Sequence, residues 1–149
     1  MFIRSIIAAI MFISATATAA DLGVNTSVAD GHGGFGVSLS EKLGVEGYTK
    51  TGGELKFDRF SGRDYSQLSA LVSYDVARFF GVTLTPKVGV VRVIPGTHPS
   101  STSWLAEIEA SYPVARYTTL TANLSRTFHN STTNEYNANI ITLGAKFFF

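Results

Sequence analysis

The chain has 149 residues, no cysteine, 15% charged residues and a formal net charge of +1. Without cysteine it can build neither a disulfide framework nor a thiol-ligated metal or redox site. The near-neutral balance argues against a nucleic-acid partner, which favours a basic excess; the charged fraction also falls well below the ~25% of ordinary soluble domains.

The N-terminal segment has three regions in order. Arg4 gives a positive start, Ile6 to Ile13 a short apolar run, and Ser14 to Ala20 a small-residue stretch ending Ala17-Thr18-Ala19-Ala20 before Asp21. This predicts a cleavable secretory signal peptide over residues 1–20, cut after Ala19 or Ala20. The apolar run is short of the ~20 residues a membrane-spanning helix needs. Residues 21–149 then make one domain in which acids and bases are equal in number.

Eight segments of residues 21–149 alternate with period two, the pattern of β-strands. The first is Leu22 to Ala29, closed by the glycine-rich turn Asp30 to Gly34. The second is Phe35 to Ser40, turning at Glu41 to Gly44. The third runs from Val45 to about Phe57, with Gly52-Gly53 as a bend or bulge, and a polar loop over Asp58 to Asp64. The fourth is Tyr65 to Val76, turning at Ala77 to Gly81. The fifth is Val82 to Ile94, then the Ser/Thr-rich loop Thr97 to Ser103. The sixth is Trp104 to Val114, the seventh Thr118 to His129, and the eighth Asn137 to Phe149, with Asn130 to Tyr136 as the loop before it. Pro86 cannot donate a ladder hydrogen bond, so it is expected at the membrane boundary or a bulge. Amphipathic helices with caps are missing. The expected fold is all-β: an eight-stranded antiparallel up-and-down transmembrane β-barrel over residues 21–149.

One face of each segment is apolar and the other small or polar. Small polar residues with a few balanced charges suit the narrow lumen of an eight-stranded barrel better than a solvated exterior. The apolar face is therefore placed outward, in lipid. Aromatics on that face fall near strand ends: Phe35, Phe57, Trp104 and Phe128 at one level, Tyr74, Tyr112, Phe147 and Phe149 at the other, as in two interfacial girdles. Arg92 and Arg126 share the apolar parity and are expected at the outer interface, reaching headgroup phosphates.

The inward parity brings Asp75, Lys87, Glu107, Glu109 and Lys146 together, with Glu46 and Lys50 as further members. Buried ions must pair, so this lumen charge network is expected to be a self-neutralising plug in preference to a selective, narrow porin-like pore. His129 and Ser131, two residues apart on one strand face, are the one constellation with a catalytic look: a base beside a hydroxyl nucleophile. Glu135 is the nearby acid. His32 and His98 are isolated, and no spacing suggests a metal site. No cofactor is expected.

The terminal strand Asn137 to Phe149, closed by an aromatic, resembles the last strand of bacterial outer-membrane β-barrels. Together with the signal-like N-terminus it makes the chain similar to small OmpA/OmpX-type barrels. The resemblance implies a monomeric protein of the Gram-negative outer membrane, in contact with membrane lipid and lipopolysaccharide. It implies Phe149 as part of the signal read by the barrel-assembly machinery. It also implies a role in envelope integrity, adhesion or lipopolysaccharide contact through the loops Asp58–Asp64, Thr97–Ser103 and Asn130–Tyr136. The His129-Asn130-Ser131 spacing resembles the motif of outer-membrane lipid A deacylases, which would make His129 the base and Ser131 the nucleophile. Thr132 departs from that family, which has Asn there, and the register turns His129 inward. A non-enzymatic barrel is therefore the leading expectation.

Overall fold

A computed structural model describes residues 20–29, 31–43, 51–61, 65–95, 100–128 and 139–148. Nine strands follow in chain order: β1 Ala20–Ala29, β2 His32–Leu43, β3 Thr51–Phe60, β4 Tyr65–Tyr74, β5 Ala77–Phe79, β6 Val82–Pro95, β7 Ser101–Ala115, β8 Thr118–Phe128 and β9 Asn139–Phe148. All pairings are antiparallel between chain neighbours, apart from two. β4 skips the short β5 and pairs with β6, and β1 pairs with β9 from Asp21↔Phe148 to Ala29↔Ile140. The second pairing closes the sheet. With β4 and β5 forming one interrupted stave, the molecule is an eight-staved, all-antiparallel up-and-down barrel without a free edge.

Strand ends differ from the sequence expectation at several places. β2 is longer than Phe35–Ser40, because Gly33 and Gly34 stay in the ladder opposite Val28 and Ser27. Gly52 and Gly53 do not bend β3; they pair continuously with Lys42 and Glu41. Asp58 to Phe60, expected in a loop, belong to β3, since both neighbouring strands offer them ladder partners there. Ser101 to Ser103 likewise extend β7. Residues Val45 to Lys50, the expected start of the third strand, lie outside the described residues.

Pro86 sits opposite a bulge. Register runs Ser73↔Lys87 before the irregularity and Ala77↔Leu84 after it, so Tyr74, Asp75 and Val76 stand opposite Thr85 and Pro86 alone. The missing N–H thus falls where the ladder is already broken. The Val76 amide resumes the bonding by donating to the Leu84 carbonyl at 3.0 Å.

The wall is inverted relative to a soluble barrel. Outward residues are large and apolar: Val72 is 63% exposed, Trp104 62% and Leu143 61%, with Val24, Phe35, Val88, Leu124 and Ile141 also exposed. Inward residues are polar and buried, among them Ser38, Ser69, Thr85, Asn123 and Thr142. Period-two alternation produces this sorting directly, because each strand has one face in and one out. A continuous apolar exterior on this scale is a lipid-facing surface, not a solvated one. No helix among the described residues is long and apolar enough to cross a membrane; crossing is by strands.

Candidate functional site: the lumen and the outer wall

The barrel has a proximal and a distal end. At the proximal end β1 begins and β9 finishes; at the distal end β1 gives way to β2 and β8 finishes.

The proximal half of the lumen holds an ion-pair cluster. Lys87 Nζ lies 2.6 Å from Glu54 Oε2, 2.6 Å from Glu109 Oε2 and 3.2 Å from Glu107 Oε1. Lys146 Nζ bridges the same Glu109 and Glu54 oxygens at 2.8 and 3.2 Å. Lys56 donates to Glu107 Oε2 at 3.1 Å, and the Asn123 amide donates to Glu107 Oε1 at 3.0 Å. Lys87 is 4% exposed and Glu109 1%. Such ions are tolerable only when paired within a network. Four different strands, β3, β6, β7 and β9, supply its carboxylates and ammonium groups.

Sequence parity brought Lys87, Glu107, Glu109 and Lys146 to this cluster, but it missed Glu54, Lys56 and Asp58. The same period-two count, carried through Gly52-Gly53 without a bend, would have found them. Asp75 is not part of the central cluster. It accepts from Lys42 Nζ at 3.0 Å and from Thr85 Oγ1 at 2.7 Å, nearer the proximal mouth. The bulge after Tyr74 and the shear between strands move it away from Lys87. Glu46, Lys50 and Phe149 lie outside the described residues, as do His129, Ser131 and Glu135.

Space in the cluster is tight. A Cβ on Gly36 would run into the Asp58 carboxylate, the Phe57 carbonyl and the Asn25 amide oxygen, so glycine is what lets these groups converge. A void of about 10 Å³ remains between Asn25, Ser38, Glu54, Asn123 and Lys146, room for about one water.

The distal half of the lumen mixes apolar and polar side chains, with Gln67, Ser69, Ser103 and Thr127 also buried there. Ala29, Phe60, Leu71, Val91, Val93, Leu105 and Ile140 form one buried cluster, with Phe60, Val91 and Val93 fully covered. These residues share the parity of the polar face. Among the described residues the lumen is lined by ion pairs proximally and by a mixed apolar and polar layer distally.

On the outer wall Trp104 and Phe128 are cross-strand partners near the distal end. Phe35 and Phe57 lie on the same side of the sheet, and Tyr74, Tyr112 and Phe147 are exposed toward the proximal end. Three exposed arginines interrupt the apolar surface distally. Arg59 is the cross-strand partner of Phe35; Arg92 donates to Ser100 Oγ at 2.6 Å; the Arg126 guanidinium stands 5.6 Å over the Phe128 ring. Arg126 borders a surface groove of about 730 Å³ floored by Ala106, Ile108, Leu124 and Ile141.

No family model matches the chain, and no curated relative matches it. Solved structures do. The N-terminal β-barrel domain of Pseudomonas aeruginosa OprF superposes with a TM-score of 0.63 at 13% identity, over 89% of this chain and 98% of that one. Yersinia pestis outer membrane protein Ail gives 0.60 at 11% identity, over 88% and 99%. The outer membrane enzyme PagL gives 0.60 at 12% identity, over 87% and 98%. At these identities the likeness is one of fold: the chain has the eight-stranded architecture of small transmembrane β-barrels.

Proposed function

We propose that the chain is a monomeric integral protein of the bacterial outer membrane, a closed barrel whose role is structural and surface-directed. The observation that carries this reading is the inverted wall around a filled lumen: hydrocarbon outward, ion pairs and packed side chains inside. The β1–β9 seam leaves no edge for a second copy, which favours a monomer. The Trp104–Phe128 level forms the outer girdle and the Tyr74–Tyr112–Phe147 level the inner one. The proximal end then faces the periplasm, and Phe149 serves the assembly machinery.

Arg59, Arg92 and Arg126 are the chemically distinctive feature of the outer wall. An arginine on a lipid-facing strand costs about 2–4 kcal/mol at the bilayer midplane but little at the interface. Their distal placement suits phosphate contact, and guanidinium groups bind phosphate bidentately. Outer-leaflet lipopolysaccharide is the phosphate-rich partner this belt fits, with Arg126 as headgroup contact and the adjoining groove for an acyl chain.

Planar-bilayer recording of the purified protein tests the filled lumen. The barrel is expected to give no sustained current; a large, steady conductance would favour the narrow-channel alternative. A lipid A deacylase reading rests on His129 and Ser131 as a sequence motif. The fold likeness to one enzyme adds nothing to it, because fold does not carry activity.

A further inference from the structure

The β5–β6 hairpin ends in a two-residue turn, Phe80-Gly81, with φ of 49° and 81°. Positive φ at both positions is the type I′ pattern, for which Asn-Gly is favoured. Gly81 is doubly required: its φ is left-handed, and a Cβ there would stand 3.0 Å from the Tyr112 ring. Phe80 is a poor choice on the same grounds, since a bulky side chain in the left-handed region is strained. It is also 97% exposed. Its one ring contact is with the adjacent Phe79, edge-on, with centroids 6.5 Å apart. A large apolar side chain held in a strained turn, with so little of its own chain to touch, gains the fold little burial; strain of this kind points outward, to a role.

Its surroundings define the partner. Phe79 pairs with Val82, and Thr83 with Ser111, so the turn projects past Tyr112 toward the β7–β8 turn. Val76, Phe79, Val114 and Tyr117 are each half exposed or more. Arg116 stands 5.2 Å over the Tyr117 ring, and Arg78 is exposed at the mouth. In the segments 75–84 and 112–118 the single acid is Asp75, and it is engaged inward by Lys42 and Thr85. Within these two segments the corner is thus aromatic and cationic, with no outward acid. Aromatic bodies with nearby cations are the composition of a membrane–water interface.

We infer that this corner is a foot embedded in the headgroup layer of the proximal leaflet. Phe80, with Phe79 and Tyr117, enters the glycerol–headgroup zone, and Arg116 and Arg78 hold phospholipid phosphates. The inference rests on the membrane reading above and goes beyond it by assigning a lipid-binding role to a turn.

The test uses tryptophan depth. Trp104 is the sole tryptophan, so a W104F/F80W chain reports on the turn alone. It is reconstituted in phosphatidylethanolamine/phosphatidylglycerol vesicles carrying nitroxide lipids labelled at the headgroup or at mid-chain. Headgroup label is expected to quench it about twofold or more over mid-chain label, as at an interface. It should be shielded from aqueous acrylamide relative to a free N-acetyltryptophanamide control in the same vesicle suspension. Acrylamide quenching equal to that control, with no response to the headgroup label, overturns the inference. Trp104 in the unmodified chain separates the two failures: if nitroxide lipids do not quench it, the membrane reading fails, whereas quenched Trp104 with a water-exposed F80W refutes the foot alone. F80N, better suited to the turn, is expected to keep or raise the temperature of the heat-modifiable gel shift in detergent. A lower temperature would make Phe80 a turn-stabilising residue and overturn the inference.

Discussion

Replacing Lys87 by methionine removes the ammonium that sits among Glu54, Glu107 and Glu109 at 2.6 to 3.2 Å. Methionine keeps much of the volume and none of the charge. At an effective dielectric of about 20, unit charges ~3 Å apart attract by about 5 kcal/mol. Desolvation cancels a large part of this in the intact network, so the pairs add little net stability. The substitution does not restore that balance. It leaves three buried carboxylates sharing Lys56 and Lys146, and removing one partner of a buried pair typically costs about 3–5 kcal/mol. Urea unfolding of the barrel in vesicles, followed by Trp104 fluorescence, should show a loss in that range for K87M. The double variant K87M/E109L removes one orphaned carboxylate as well, and should recover about 1 kcal/mol or more of the loss. A K87M barrel within about 0.5 kcal/mol of the unmodified one would refute the claim that paired ions fill the lumen.

Two further outcomes rest on the same geometry, and a third on the His129–Ser131 sequence motif. G36V forces a side chain into the Asp58 carboxylate and the Phe57 carbonyl, and should cost about 1–3 kcal/mol in the same unfolding assay; a neutral result would mean the cluster is loosely packed. R126L should lower retention of lipopolysaccharide in native mass spectrometry about tenfold, the loss of one charge-assisted phosphate contact; unchanged retention would remove Arg126 from the belt. Cells overexpressing the chain and cells overexpressing S131A should carry identical lipid A acylation. Loss of an acyl chain with the first and not the second would make the protein a hydrolase.

The inward charges Lys87, Glu107, Glu109 and Lys146 could be read from the sequence because period-two alternation is a local property of each strand. The partners could not, because register belongs to pairs of strands. Asp75 shares parity with Lys87 yet bonds Lys42, 33 residues away, after a bulge that alternation does not announce. Glu54, Lys56 and Asp58 were hidden by two glycines and a polar run with turn chemistry, which the ladder nonetheless absorbs into β3. The distal apolar cluster was hidden for a different reason. Phe60, Val91 and Val93 are apolar residues at inward positions, and an apolar–polar contrast cannot distinguish them from lipid-facing neighbours such as Val90. Phe80 looked like an ordinary turn residue until its backbone showed that phenylalanine is the wrong residue for the turn.

The central claim is that the apolar wall meets lipid. Fractionation of cells expressing the chain, with heat-modifiable gel mobility of the recovered protein, tests it most directly. Recovery in the outer membrane is expected, with an unheated folded form that migrates apart from the boiled one, as a stable closed barrel does. Recovery as a soluble periplasmic protein would contradict it, since a wall exposing Val72, Trp104 and Leu143 to water would have to be turned inside out.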